Sequence, residues 1–193
     1  MRKLRMICRG KLRFALFAIG FVILSLPVAS LAQTTVTQTL NVTVVPLGGL
    51  YMQASPLALT KTGTFNGYTG TITLSYRART RQGSGHGTIT VKATSDFMPT
   101  GGPSIASPPS TADKFTYTCS GATLGAACSG IQTVSTTTST TVVSLGASAC
   151  TGGGAPCSTS NPNSANVTFI LTDDSKYKTG SYSATLTWTI SAS

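Results

Sequence analysis

The sequence predicts an all-β fold, and three observations carry that prediction. The first is the stretch Gly180 to Ile190, where Tyr182, Ala184, Leu186, Trp188 and Ile190 take every second position and Ser or Thr takes the others. Alternation sustained over that length describes a strand with one buried face and one wet face. The second is composition: charged residues make up only 9 %, Glu is absent, and Ser, Thr and Gly abound. β-branched Thr without strong helix formers favours strands, and a 40 % hydrophobic content that alternates rather than clusters argues against disorder. The third is that no helical period follows the first 32 residues.

Those first residues are set aside as a secretory signal peptide. Arg2, Lys3, Arg5, Arg9, Lys11 and Arg13 form a basic region, Phe14 to Leu26 is apolar, and Ser30-Leu31-Ala32 offers small residues ahead of a cleavage expected before Gln33. An uncleaved anchor is the alternative, but the apolar run is short for a span of about 20 residues and Pro27 interrupts its end. Six of the 14 basic residues belong to the leader; the other 8 face 4 acids, so residues 33–193, read as one domain, carry +4 rather than +10. The basic balance is therefore mostly a targeting feature and no footprint for nucleic acid.

The strands follow in order. Thr35 to Val44 sets Val36, Leu40, Val42 and Val44 on one face, with Gln38 as a polar intruder, and Pro46 with Gly48-Gly49 is expected to end it. Leu50 to Ala54 and Leu57 to Phe65 hold one or two irregular strands split by Pro56. Thr71 to Arg79 turns Ile72, Leu74, Tyr76 and Ala78 inward, and Thr88 to Thr94 turns Ile89, Val91 and Ala93 inward. The glycine-rich loop between these two predicts a β-hairpin. Phe115, Tyr117 and Cys119 alternate in a further strand, Thr133 to Leu145 holds another, and Val167, Phe169 and Leu171 mark one more before the last strand opens at Gly180. About seven to nine short antiparallel strands make an immunoglobulin-like β-sandwich in the broad sense, with a closed barrel as the second architecture.

Cys8 leaves with the leader, and Cys119, Cys128, Cys150 and Cys157 remain for an oxidising compartment. Of the three possible pairings, Cys119–Cys128 and Cys150–Cys157 each close a short loop. A zinc site is the rival, without the C-x-x-C spacing or histidine partners such sites use. Catalysis is poorly supplied. His86 is the only histidine, in a Gly-Ser-Gly-His-Gly loop, and Asp96 is its nearest acid in sequence. The same glycines open no helix and precede no lysine of the phosphate-loop kind. Asp173-Asp174 reads as a turn, with calcium as the alternative. Arg77, Arg79 and Arg81 with Lys92 on the expected hairpin partner are candidate residues for an acidic glycan or an anionic envelope polymer, since guanidinium groups bind carboxylate and phosphate with two bonds. A solvated face that deters edge pairing is the plainer reading. Trp188 and Tyr182 are the expected core anchors, with Trp188 among Leu74, Tyr76, Val91, Phe115 and Phe169.

Tyr182 followed by Leu186-Thr187-Trp188 and Ile190 resembles the distal Tyr-x-x-x-Leu-Thr-Trp-x-Leu motif of WxL cell-surface domains, although their earlier Trp-x-Leu motif has no counterpart beside the chain's one Trp. The same Gly180-Ser181-Tyr182 turn into a terminal strand is similar to the ends of secreted pilin-type subunits, including the spore coat U group. Each resemblance covers about a dozen residues and implies a bacterial envelope or extracellular setting without bringing any ligand-binding residue. The expectation is a secreted structural, adhesive or envelope-binding protein without catalysis or cofactor, and the alternative is a carbohydrate-binding module for acidic glycans. Its partners are then further copies or an envelope polysaccharide. The stretch Thr35 to Val44 is expected to complete its own sandwich, or else that of the next subunit.

Overall fold

The computed structural model describes residues 38–52, 56–64, 67–154 and 157–193. The leader, its cleavage point and residues 35–37 lie outside them, as do Ala54 and Phe65 at the ends of the two irregular strands. Ten strands follow one another: β1 (Leu47–Met52), β2 (Thr60–Lys61), β3 (Tyr68–Arg79), β4 (Gly87–Ala93), β5 (Thr116–Ser120), β6 (Ala126–Ala127), β7 (Gln132–Thr133), β8 (Thr140–Leu145), β9 (Asn163–Leu171) and β10 (Leu186–Ala192). They form two antiparallel sheets. A 6-stranded sheet runs β1-β3-β9-β5-β7, with β2 also on β3, and a 4-stranded sheet runs β10-β4-β8-β6. The architecture is a β-sandwich, held by the inward residues that alternation predicts: Ile72, Leu74, Tyr76 and Ala78 of β3, Ile89, Val91 and Ala93 of β4, and Val167, Phe169 and Leu171 of β9 are all buried.

Four expectations need correction. The expected hairpin of β3 and β4 does not form: β3 pairs with β1 and β9, β4 with β8 and β10, and residues 80–86 carry the chain from one sheet to the other. Buried Thr80 fixes this crossing, donating to the Gly146 carbonyl at 2.7 Å and accepting from the Ala149 amide at 2.9 Å. Alternation gives each strand its inward face but says nothing about which neighbour it bonds.

The expected first strand is likewise absent among its described residues. Residues 38–46 belong to no strand, and Val42, Val44 and Val45 are exposed, so from Val42 to Pro46 the chain adds no strand to either sheet. The first strand is instead β1, which contains the two glycines read as its terminator. A side chain at Gly48 would press on Ile190 of the facing sheet, with a Cβ 3.2 Å from its Cγ1, so the missing side chain lets β1 approach β10.

The last strand starts at Leu186 rather than Gly180, although Ser183 already bridges to Met98. It is also the edge of its sheet, bonded only to β4, so Trp188 and Tyr182 are half-buried rather than central. Finally, the stretch Thr133 to Leu145 is broken into β7 and β8, which join different sheets.

Candidate functional site

One side of the sandwich is where both sheets end. There β1 ends one sheet and β10 ends the other, and the two strands contact each other across the sandwich. On its outer side β3 is bonded by β2 at Tyr68 and Thr69 and by β1 from Leu74 to Arg79, and between them Ala58 and Leu59 lie against Gly70. Among the described strands β10 is bonded to β4 alone, so its other edge has no strand partner among the described residues. An unpaired strand edge is a template for another strand.

Beyond that contact, where β3 and β10 begin and β9 ends, lies a cleft of about 860 Å³, walled by Ile72, Phe97, Phe115, Phe169, Leu186 and Trp188. The aromatic wall is continuous: Phe97 meets Phe115 edge-on at 5.4 Å, Phe115 stacks on Phe169 at 5.2 Å, and Phe169 meets Trp188 edge-on at 6.1 Å. The half-buried Leu186 and Trp188 thus line an open cleft, while Ile190 of the same face packs against Gly48 of β1.

Polar groups gather around the cleft. Tyr182 stands there, its hydroxyl donating to the Lys178 carbonyl at 2.6 Å and its ring occupying the space where a Cβ on Gly102 would fall. It works as a wall of the loop before β10. Tyr177 also lines the cleft; its hydroxyl is buried and has no hydrogen-bond partner among the described residues. Burial, with the charges of Asp113, Asp174 and Asp173 nearby, pushes its pKa up to about 12, so it stays a neutral donor.

The four acids serve the structure. Asp173 pairs with Lys61, whose pKa is raised chiefly by that bond. Asp174 accepts from the Lys176 amide at 2.8 Å in the expected turn, and Asp113 is buried and accepts from Ser110 at 2.6 Å. Asp96 organises the loop after β4 through Phe97, Ser104, Ile105 and Ala106. Among the described residues no cluster of three or more His, Cys, Asp or Glu is placed to hold a metal ion, Asp173 and Asp174 included. His86 is exposed, with Ser193 Oγ 3.3 Å from its Nδ1.

The four basic residues named together in the sequence are not brought together. Arg77 and Arg79 point outward from the 6-stranded sheet, Arg81 lies in the crossing loop, and Lys92 points outward from the 4-stranded sheet on the opposite surface. The stripe depended on the hairpin and disappears with it. Arg79 plays a separate part, since its Nε donates to the Val45 carbonyl at 2.8 Å and fixes where the N-terminal segment leaves the fold.

Both cysteine pairs are bonded, Cys119 to Cys128 and Cys150 to Cys157, with Cα–Cα distances of 5.2 and 4.4 Å. Two disulfides fit an oxidising, extracytoplasmic environment. Among the described residues no helix is long and apolar enough to cross a membrane. No family model, curated protein or solved structure matches the chain.

The cleft has no direct signature in the sequence. Its signal is indirect: apolar residues alternating in a terminal strand with too few partners to cover them.

Proposed function

We propose that this chain is a secreted bacterial cell-envelope or extracellular structural protein, adhesive rather than catalytic, whose copies join head to tail. The N-terminal segment of one copy fills the cleft of the next. The observation that supports this reading is the aromatic-walled cleft beside the edge of β10 that has no strand partner among the described residues.

A strand laid there bonds the free edge of β10 and sinks alternate side chains against Phe169 and Trp188. The chain owns a segment of that description: Leu40, Val42 and Val44 alternate with polar residues, and the two valines are exposed. Arg79 holds Val45 at the end of β3, whereas the cleft is lined by Tyr68 and Ile72 from its beginning. The β3 strand spans about 35 Å. The segment from Val42 onward therefore joins the fold at the end away from the cleft's mouth, which favours a neighbouring copy over its own. Such a contact is heterologous and does not close on itself. An inserted backbone also offers an acceptor to the Tyr177 hydroxyl. The absence of Glu and the structural employment of all four Asp support a role without catalysis.

The exported chain, run on a gel without heating, should give ladders that collapse to monomer on boiling. Leu40→Asp with Val42→Asp should abolish them, and a peptide of residues 33–45 should bind that variant. A wild-type chain that stays monomeric at every concentration, or a variant that still forms ladders, overturns the proposal.

A further inference from the structure

The outer face of the 6-stranded sheet carries a second, separate hollow. Pairing of β1 with β3 sets Tyr51 opposite Ser75 and Gly49 opposite Arg77. Leu47, Gly49 and Tyr51 thus share the outward row of β1, beside the outward row Arg79, Arg77 and Ser75 of β3. The middle member of the first row has no side chain, and nothing lies within 4 Å of the place where its Cβ would be. The result is a dip of about 530 Å³ bounded by Gly49, Tyr51, Ser75, Arg77 and Pro162.

Its two large side chains are uncommitted. The Tyr51 ring is 65 % exposed, although a core was available to a strand of this kind. Arg77 is exposed, and neither its guanidinium nor the Tyr51 hydroxyl has a hydrogen-bond partner among the described residues. Its neighbours differ: Arg79 is spent on Val45 and Lys61 on Asp173. Behind Arg77 the outward row of β3 continues as hydroxyls already linked to β9, Thr73 to Asn166 and Thr71 to Thr168, each at 2.8 Å. This makes a flat polar shelf.

We propose that this hollow binds an acidic saccharide bearing a carboxylate, a uronate unit of a polysaccharide. A planar guanidinium matches the two oxygens of a carboxylate. The Tyr51 ring offers a flat apolar surface with a polar tip to the sugar's C–H face. Gly49 leaves room for the ring between them, and Ser75 lies within the hollow for a sugar hydroxyl. A phosphate can take the same fork; it is the flat Tyr51 ring beside Arg77 that points to a sugar rather than to a bare anion. The hollow is on the outside of one sheet and the cleft is between the sheets, so this inference does not rest on assembly, and both can act in one molecule.

The test uses the full exported chain and oligogalacturonate as probe, with its methyl-esterified form as the uncharged control, read by calorimetry. Wild type should bind the acid and not the ester. Arg77→Ser and Tyr51→Ala should each weaken binding by about tenfold or more, as loss of one good charge-assisted or stacking contact implies. Gly49→Val should do the same by filling the dip, and there is space for it without disturbing the fold. Lys92→Ser, on the opposite surface, should change nothing. No binding of the acid by wild type, unchanged affinity in Arg77→Ser, or an equal loss in Lys92→Ser would each overturn the proposal. Equal binding of the ester would overturn the carboxylate assignment.

Discussion

Four hydrogen bonds converge on Asp96: from Ser104 Oγ and the Ile105 amide, each at 2.6 Å, the Phe97 amide at 2.8 Å and the Ala106 amide at 3.4 Å. Burial by itself would raise this carboxyl, but the Ser104 hydroxyl and the three amides outweigh it and hold the pKa below the ordinary value. A depressed folded value means that the unfolded chain takes up its proton first as the solution is acidified. The stabilisation is complete above the unfolded Asp value of about 3.9 and is lost as pH falls through the folded one. The urea midpoint should therefore drop in the acid range below about pH 4, and Asp96→Asn should flatten that limb. At neutral pH the substitution should cost about 1 kcal/mol, because the group is partly open to water. An acid limb identical in the two proteins would remove Asp96 from this role. Trp188 belongs to the same scale. A fully enclosed Trp replaced by Ala costs about 3–5 kcal/mol; half-covered at the cleft, Trp188→Ala should cost about 2 kcal/mol. Its fluorescence maximum in the free chain should lie between buried and solvated values and move to the blue when the 33–45 peptide binds. A maximum already fully blue in the free chain would mean that the cleft is closed.

At the scale of elements, the sequence is legible where one strand's burial depends on its own alternation. Ile72 to Ala78 and Ile89 to Ala93 lie buried at every second position, as their pattern requires, and Phe115, Tyr117, Val167 and Phe169 meet in the core. What alternation leaves out is the neighbour. A glycine-rich connection serves a hairpin and a crossing between sheets equally well, and the choice at residues 80–86 rests on Thr80 reaching Gly146 and Ala149, contacts far away in sequence. The β1 strand is hidden for another reason. Gly48 and Gly49 read as breakers, yet one glycine admits Ile190 and the other opens the hollow beside Arg77. The alternating stretch ahead of it is legible as a strand, yet its described residues form none, since a strand pattern specifies a face and not the molecule that covers it. The basic residues fail as a group for the same cause: their proximity follows only from the hairpin, and β3 and β4 lie in different sheets. The cleft has no local signature, because its walls come from β3, β9, β10 and loop residues such as Phe97 and Tyr182, distant from one another in sequence.

At the scale of the whole molecule, the two disulfides close loops of similar length yet tie different things together. Cys119 is in β5 of the 6-stranded sheet, and Cys128 follows β6 of the 4-stranded sheet, its amide donating to the Val142 carbonyl at 2.9 Å. That bond is a strap from sheet to sheet on the side away from β1 and β10. Cys150 bridges to Arg79 at the end of β3, and its bond to Cys157 gathers the long connection between β8 and β9. The sequence separations are 9 and 7, so the loss of chain entropy on closing either loop stabilises by about 2–3 kcal/mol. Replacing both cysteines of either pair by Ser should therefore lower the unfolding free energy by nearly the same amount. The consequences within the folded state should differ. Without Cys119–Cys128, amide exchange should quicken in β5, β6 and β8 together, because the strap couples the sheets. Without Cys150–Cys157, faster exchange should stay within residues 146–162 and the end of β3. Equal and local effects in both variants would show that the first bond closes a loop and nothing more. A global change in both would mean that the connection between β8 and β9 is part of what holds the sheets together.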